Sequence, residues 1–162
     1  MSQHTLDTPE ALFHYALRSA LMMEQHSLEA LDDLHAAARD QKIKKLFTHH
    51  ADETREQIDN LERVLKDLGY EATTAPSQAT TGIKTQAASL LEKADPKLHN
   101  QIALMSALGN EHFEIASYTG LIMHAEALGA AESGKLLSAN LDQEVHTSEE
   151  LRTTLQEMLS SS

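Results

Sequence analysis

The chain contains no cysteine and no tryptophan, and among its 162 residues are only 3 prolines and 6 glycines. No disulfide, thiolate nucleophile or cysteine-ligated zinc or iron–sulfur centre can therefore form. Scarce proline and glycine leave few points at which a helix must break. Positive charge is short as well: 13 Lys and Arg stand against 25 Asp and Glu, a formal net charge of −12. No basic patch is present to neutralise nucleic-acid phosphates, and an anionic bilayer would repel the chain. No run approaches the roughly 18 apolar residues of a membrane span. The opening "MSQHTLDTPEA" lacks a basic segment followed by an apolar one, so no signal peptide is expected. These absences predict a cytoplasmic protein with no nucleic-acid partner and no membrane partner.

What is abundant is Ala, Leu and Glu, all good helix formers. The length suits one domain with a single core, spanning 1–162. Thr8 followed by Pro9 marks a helix start, and the first helix runs over about 9–38. Asp40 caps a second helix over 41–68, ended by Gly69. Asp95-Pro96 repeats the cap-then-proline signal and opens a helix over 96–128 that ends near Gly129. The last helix covers 130–159. Between the second and third long helices lies a loop-like "YEATTAPSQATTG", followed by "IKTQAASLLEKA", which reads as a short fifth helix over 83–94. Two tight hairpins joined by a crossover of roughly 26 residues make an all-α, ferritin-like four-helix bundle.

Core-facing positions of a bundle helix recur at alternating steps of three and four. On the first helix that path reads Phe13, Leu17, Ala20, Glu24, Ser27, Leu31, Leu34. On the second it reads Leu46, His50, Glu53, Gln57, Leu61, Val64, Leu68. The third gives Leu104, Leu108, Glu111, Ile115, Tyr118, Ile122, and the fourth Leu137, Leu141, Glu144, Ser148, Leu151, Leu155, Met158. Each stripe is largely apolar and each is broken by a glutamate near its middle. Counted from the hairpin turns, at ~1.5 Å per residue, the two glutamates of each hairpin share a level to within about one helical turn. Four carboxylates meeting in a core repel and are costly to desolvate unless some are protonated or a cation sits among them. Carboxylate oxygens suit iron or manganese better than copper.

The segments "HHADETREQIDNLERV" (49–64) and "NEHFEIASYTG" (110–120), supported by "MMEQHSLEAL" (22–31) and "GKLLSANLDQE" (134–144), carry a family resemblance. The chain resembles the YciE/YciF family of ferritin-like bacterial stress proteins, similar in fold to rubrerythrins and ferritins. The resemblance implies a homodimer with a dinuclear site, iron or manganese. It places Glu24, Glu53, Glu111 and Glu144 at the metal-carboxylate positions. One departure stands out. Ferritin-like di-iron sites carry Glu-x-x-His on two helices, but Glu56 follows Glu53 and Thr147 follows Glu144 at that spacing. His50, three residues before Glu53, is the candidate nitrogen ligand, with Gln57 on the same path and Glu114 as a further carboxylate beside Glu111.

Other features carry blander readings: Tyr118 as a core aromatic, the methionines as core filling, and Gly109 and Gly120 as sites of close helix packing. Two functions of different class follow. One is a metal-dependent protein of redox or peroxide handling in stress. The other is a non-enzymatic dimeric bundle in which metal is only stabilising or absent, which the missing histidines favour.

Overall fold

The computed structural model describes residues 4–161. Residues 1–3, part of the opening segment read as carrying no signal peptide, and residue 162 lie outside the described residues. The elements are α1 (Pro9–Ala37), α2 (Gln41–Asp67), α3 (Gln78–Lys93), a 3-10 turn (Pro96–Leu98), α4 (His99–Ala127) and α5 (Ala131–Ser160). No strand occurs among the described residues, and no helix is long and apolar enough to cross a membrane.

The helix ends form where local chemistry puts them. The Thr8 side chain accepts from Ala11 N, with Pro9 at the first helical position. Asp40 accepts from both Lys42 N and Ile43 N. Gly69 (φ 83°) and Gly129 (φ 72°) close α2 and α4 in the left-handed region. There the next residue's N–H reaches back, Tyr70 to Leu65 O at 2.9 Å and Ala130 to Ala125 O at 2.8 Å.

Two boundaries depart from the sequence expectation. The crossover helix begins at Gln78, not 83, and takes in the threonines read as loop. The hydroxyls of Thr80 and Thr81 bond back to Ser77 O, at 3.2 and 3.1 Å, and so satisfy themselves inside a helix. Asp95-Pro96 opens a 3-10 turn, with Asp95 accepting from Lys97 N, and α4 starts only at His99.

The hairpins α1–α2 and α4–α5 lie side by side, α1 against α4 and α2 against α5. Asn100, near the start of α4, accepts from Arg39 N at the α1–α2 turn (2.7 Å). Hence α4 runs antiparallel to α1, and the crossover must climb the whole bundle, which it does as α3. This is the ferritin-like topology. The apolar core is divided in two. One cluster holds Phe13, Leu17, Leu21, Leu61, Leu65 and Leu137; the other holds Leu31, Leu34, Ile43, Phe47, Leu104 and Leu151. Between them, at mid-height, lies a layer of polar side chains.

Two expectations about packing fail. A Cβ added at Gly109 or Gly120 would meet nothing within 4 Å, so these glycines do not serve close packing within the chain. Met23 is buried, but Met105 and Met123 are 57% and 64% exposed and fill no core.

Candidate metal centre

The polar layer takes its side chains from all four long helices. On α1, every residue of the expected stripe from Phe13 to Leu34 is buried, Glu24 included. On α4 the inner face runs Leu104, Ala107, Glu111, Glu114, Tyr118, Leu121. It is turned slightly from the expected path, so Glu114, not Ile115, occupies the centre. On α5 it runs Leu137, Asn140, Glu144, Thr147, Ser148, Leu151. On α2 it runs Phe47, His50, Thr54, Gln57, Leu61. From His50 the next inward residue is four along, at Thr54, rather than three along at Glu53. Glu53 therefore stands at the edge of the layer, its side chain 13% exposed.

One ligating atom from each of His50, Glu111, Glu114 and Glu144 lies within 4.8 Å of those of the other three. All four residues are buried, as are Glu24 and Gln57. His50 Nε2 is set against Glu111 Oε1. The pair lacks hydrogen-bond alignment, so both ring nitrogens remain without a formal partner. Glu24 Oε1 accepts from the Tyr118 hydroxyl at 2.5 Å. Asn110 Nδ2 donates to Glu114 Oε1 at 3.2 Å and to Ser27 Oγ at 3.4 Å. Glu53 Oε1 faces His49 Nε2 on the outside (3.1 Å) and, more loosely, the Thr147 hydroxyl (3.5 Å).

Much of the remaining polar surface of the layer has no hydrogen-bond partner. Glu24 Oε2, Glu111 Oε2, Glu114 Oε2 and both oxygens of Glu144 accept no hydrogen bond, and both polar atoms of Gln57 are equally unpaired. Buried polar atoms in native proteins are nearly always satisfied, so such a concentration requires a physical cause. Among the described residues no lysine or arginine is bonded to the layer's carboxylates, and the basic group beside them, His50, is a weak one. Burial, then repulsion by neighbouring carboxylates, pushes the Glu111, Glu114 and Glu144 carboxyls well above their ordinary range. Burial raises Glu24 to about 7 against the pull of the Tyr118 hydrogen bond. Burial likewise lowers the pKa of His50, against the attraction of Glu24 and Glu53. The donor set, carboxylate oxygens plus one imidazole around a common point, fits a hard-to-intermediate divalent cation.

Comparisons with known proteins identify the family and the fold. A family described as a domain of unknown function, DUF892, matches residues 8–162. The chain belongs to the DUF892 family. It is 29% identical to Protein YciF of Escherichia coli (strain K12) over 144 residues, covering 88% of this chain and 87% of YciF. Among solved structures it is similar to the E. coli stress protein YciF, with a TM-score of 0.90 and 26% identity over 96% of this chain and 99% of that one. It is equally similar to YcfI of Rhodopseudomonas palustris, described as a candidate structural protein, with a TM-score of 0.90 and 30% identity over 94% and 98% of the two chains. The resemblance to the YciE/YciF family and the ferritin-like all-α fold are thus shown.

Sequence reasoning about this DUF892 protein missed the hydrogen-bonded chain beneath the layer. Asn60 Nδ2 donates to Asn140 Oδ1 (2.8 Å), and Asn140 Nδ2 donates to the Tyr118 hydroxyl and to Gln57 O, both at 3.1 Å. Tyr118 is thereby held to aim its proton at Glu24. The signal was present: Asn140 lies one turn before Glu144 on the inner face, where an apolar residue would be expected.

The shifts give the metal-free protein a defined pH dependence. A carboxyl whose folded pKa is raised contributes stability below about pH 4.5 that is lost as pH climbs through its folded pKa. His50 acts in the opposite sense, its contribution being lost as pH falls below about 6.5, but four carboxyls outweigh one imidazole. Denaturant unfolding of the metal-free protein should therefore show stability falling as pH rises from about 5 through the raised Glu24 value of about 7. A stability that rises across this window would contradict the assigned environment.

Proposed function

We propose that the layer is a metal centre, of two ions in the fully loaded protein, and that the chain is a ferritin-like stress protein acting through it. The observation that carries the proposal is the set of buried, unpartnered carboxylate oxygens on Glu24, Glu111, Glu114 and Glu144 beside His50. Iron or manganese is the fitting ion by donor chemistry. Glu111, Glu114, Glu144 and His50 form the central ligand set. Glu24 extends it toward Tyr118, and Glu53, at the solvent edge, extends it on the opposite side. Gln57 offers a neutral amide oxygen. When bound, iron would bring one-electron exchange with dioxygen or peroxide to the site. The protein's own part is to exclude water, to fix the carboxylates from four helices, and to hold a proton between Tyr118 and Glu24.

The second reading is a bundle in which metal only neutralises the carboxylates, with no turnover. It is supported by the single histidine at the centre, where redox-active carboxylate bundles have two, and by the description of YcfI as a candidate structural protein.

The homodimer is also a proposal. Along the outer face of α4 run Met105, Gly109, His112, Ala116 and Met123, all exposed. A side chain added at Gly109 would meet open space. A second copy seated on this face would explain both the exposed methionines and a glycine unused within the chain.

Elemental mass spectrometry of purified protein tests the metal centre. Wild type should hold iron or manganese, and Glu24→Ala and Glu144→Ala should lose most of it. A metal-free wild type whose melting temperature ignores both added metals would sink the proposal. Peroxide or dioxygen consumption by the iron form then separates the two readings. For the assembly, light scattering should give twice the chain mass for wild type and a monomer for Met105→Glu; a monomeric wild type would overturn the dimer.

A further inference from the structure

A second feature touches the centre from the side of the crossover helix. Beneath α3, between α1 and α4, a narrow cavity of about 20 Å³ remains, enough for the centre of one water-sized molecule. Its walls are mostly carbon: Leu31 and Leu34 of α1, Ile83 and Ala87 of α3, and Ala107 of α4. Its inner end is formed by His50 and Glu111 of the carboxylate layer. Thus a pocket that reaches the centre is walled mainly by carbon, with Ser27, Ser106 and Asn110 also bordering it.

The rim settles what class of occupant it suits. His26 Nδ1 is 2.8 Å from the Thr80 hydroxyl, and Lys84 is paired with Glu29. Both contacts tie α3 to α1 above the cavity. Lys84 also lines the cavity and is the one formally positive side chain on it. Paired with Glu29, it leaves the rim without net negative charge to draw in a metal ion. Burial, then proximity to Lys84, lowers the pKa of His26, which leaves that ring neutral. An anion would meet the carboxylates of the layer at the inner end. The fitting occupant is small and uncharged. The roof itself is lightly held, since Thr80 and Ala87 are the buried residues of α3. None of the side chains placed in the layer belongs to α3, so α3 covers the cavity without itself holding the centre.

We infer that this cavity is a binding site for one small apolar molecule of the size of dioxygen, admitted beneath α3 and held against His50 and Glu111. The inference rests on the metal-centre reading, whose ions would be the reason for a neutral oxidant to be delivered there. The same geometry assigns α3 a role beyond spanning the bundle: it covers the entrance.

Xenon, a probe for dioxygen-sized apolar sites, tests the cavity without any turnover. Crystals of the wild-type protein pressurised with xenon should show one atom between Ala87 and Ala107. Ala87→Phe should abolish that site and slow oxidation of the iron(II)-loaded protein by dioxygen severalfold, at unchanged iron content. Ala107→Leu, from the opposite wall, should do the same and guards against a folding defect in the first variant. Iron binding without a xenon site overturns the inference. So does a filled cavity with wild-type oxidation rates. A wild type that takes up xenon but no iron overturns the metal-centre reading, and with it the delivery role, while leaving the apolar site in place.

Discussion

The structure turns on the mutual repulsion of glutamates that the helices force into one buried layer. Glu24, Glu111, Glu114 and Glu144 are each almost wholly removed from solvent. Ionised together without a counter-charge, each would carry a desolvation penalty of several kcal/mol. Most of what surrounds them follows from that constraint. Tyr118 and Asn110 each supply a hydrogen bond to one carboxylate oxygen, His50 supplies the nearest basic group, and the remaining oxygens stay unpaired. The two apolar clusters above and below hold the helices together strongly enough to tolerate this middle. The protein therefore separates stability from chemistry along its axis: packing at both ends, unsatisfied polarity between.

Such an arrangement acts differently in its two charge states. With the carboxyls protonated, the layer is a neutral, poorly satisfied core. In the proposed centre a divalent cation would take the same oxygens as ligands in place of protons, so metal uptake would be coupled to proton release. The two flanks of the layer also differ. Toward α5 and the outer face of α2, Glu53 reaches partial exposure beside His49. Toward α3, the approach is lined by carbon and rimmed by Lys84. On the proposed reading, one side would suit ions and the other neutral molecules.

Much of this was legible in the sequence because bundle helices bury a stripe of fixed period. The α1 stripe was read without error, and the two hairpins and the long crossover followed from Thr8-Pro9, Asp40, Gly69 and Gly129. Errors arose where the three-or-four step is ambiguous. From His50, three steps lead to Glu53 and four to Thr54; the bundle chose the latter, because Ile43 and Phe47 set the buried face. From Glu111, three steps lead to Glu114 and four to Ile115, and the helix buries the carboxylate while the isoleucine is only half-buried. The polar chain through Asn60 and Asn140 is tertiary, and its one local sign, Asn140 a turn before Glu144, lies beside the expected path through Leu141. The early start of α3 was hidden by threonines that satisfy their own hydroxyls within the helix. The exposed methionines of α4 read as core filling in the sequence because apolar residues on opposite faces of one helix look alike in a list of hydrophobic positions.

The central claim is that the buried carboxylates await a cation that the protein does not itself provide. Melting temperatures of wild type and Glu144→Gln, each with and without added iron or manganese, test it most directly. Without metal, the variant should be as stable as wild type or more so, because one source of repulsion is gone. With metal, wild type should gain and the variant should gain clearly less. A metal-free variant far less stable than wild type, with neither protein responding to metal, would mean that Glu144 is already paired within the fold and would contradict the account.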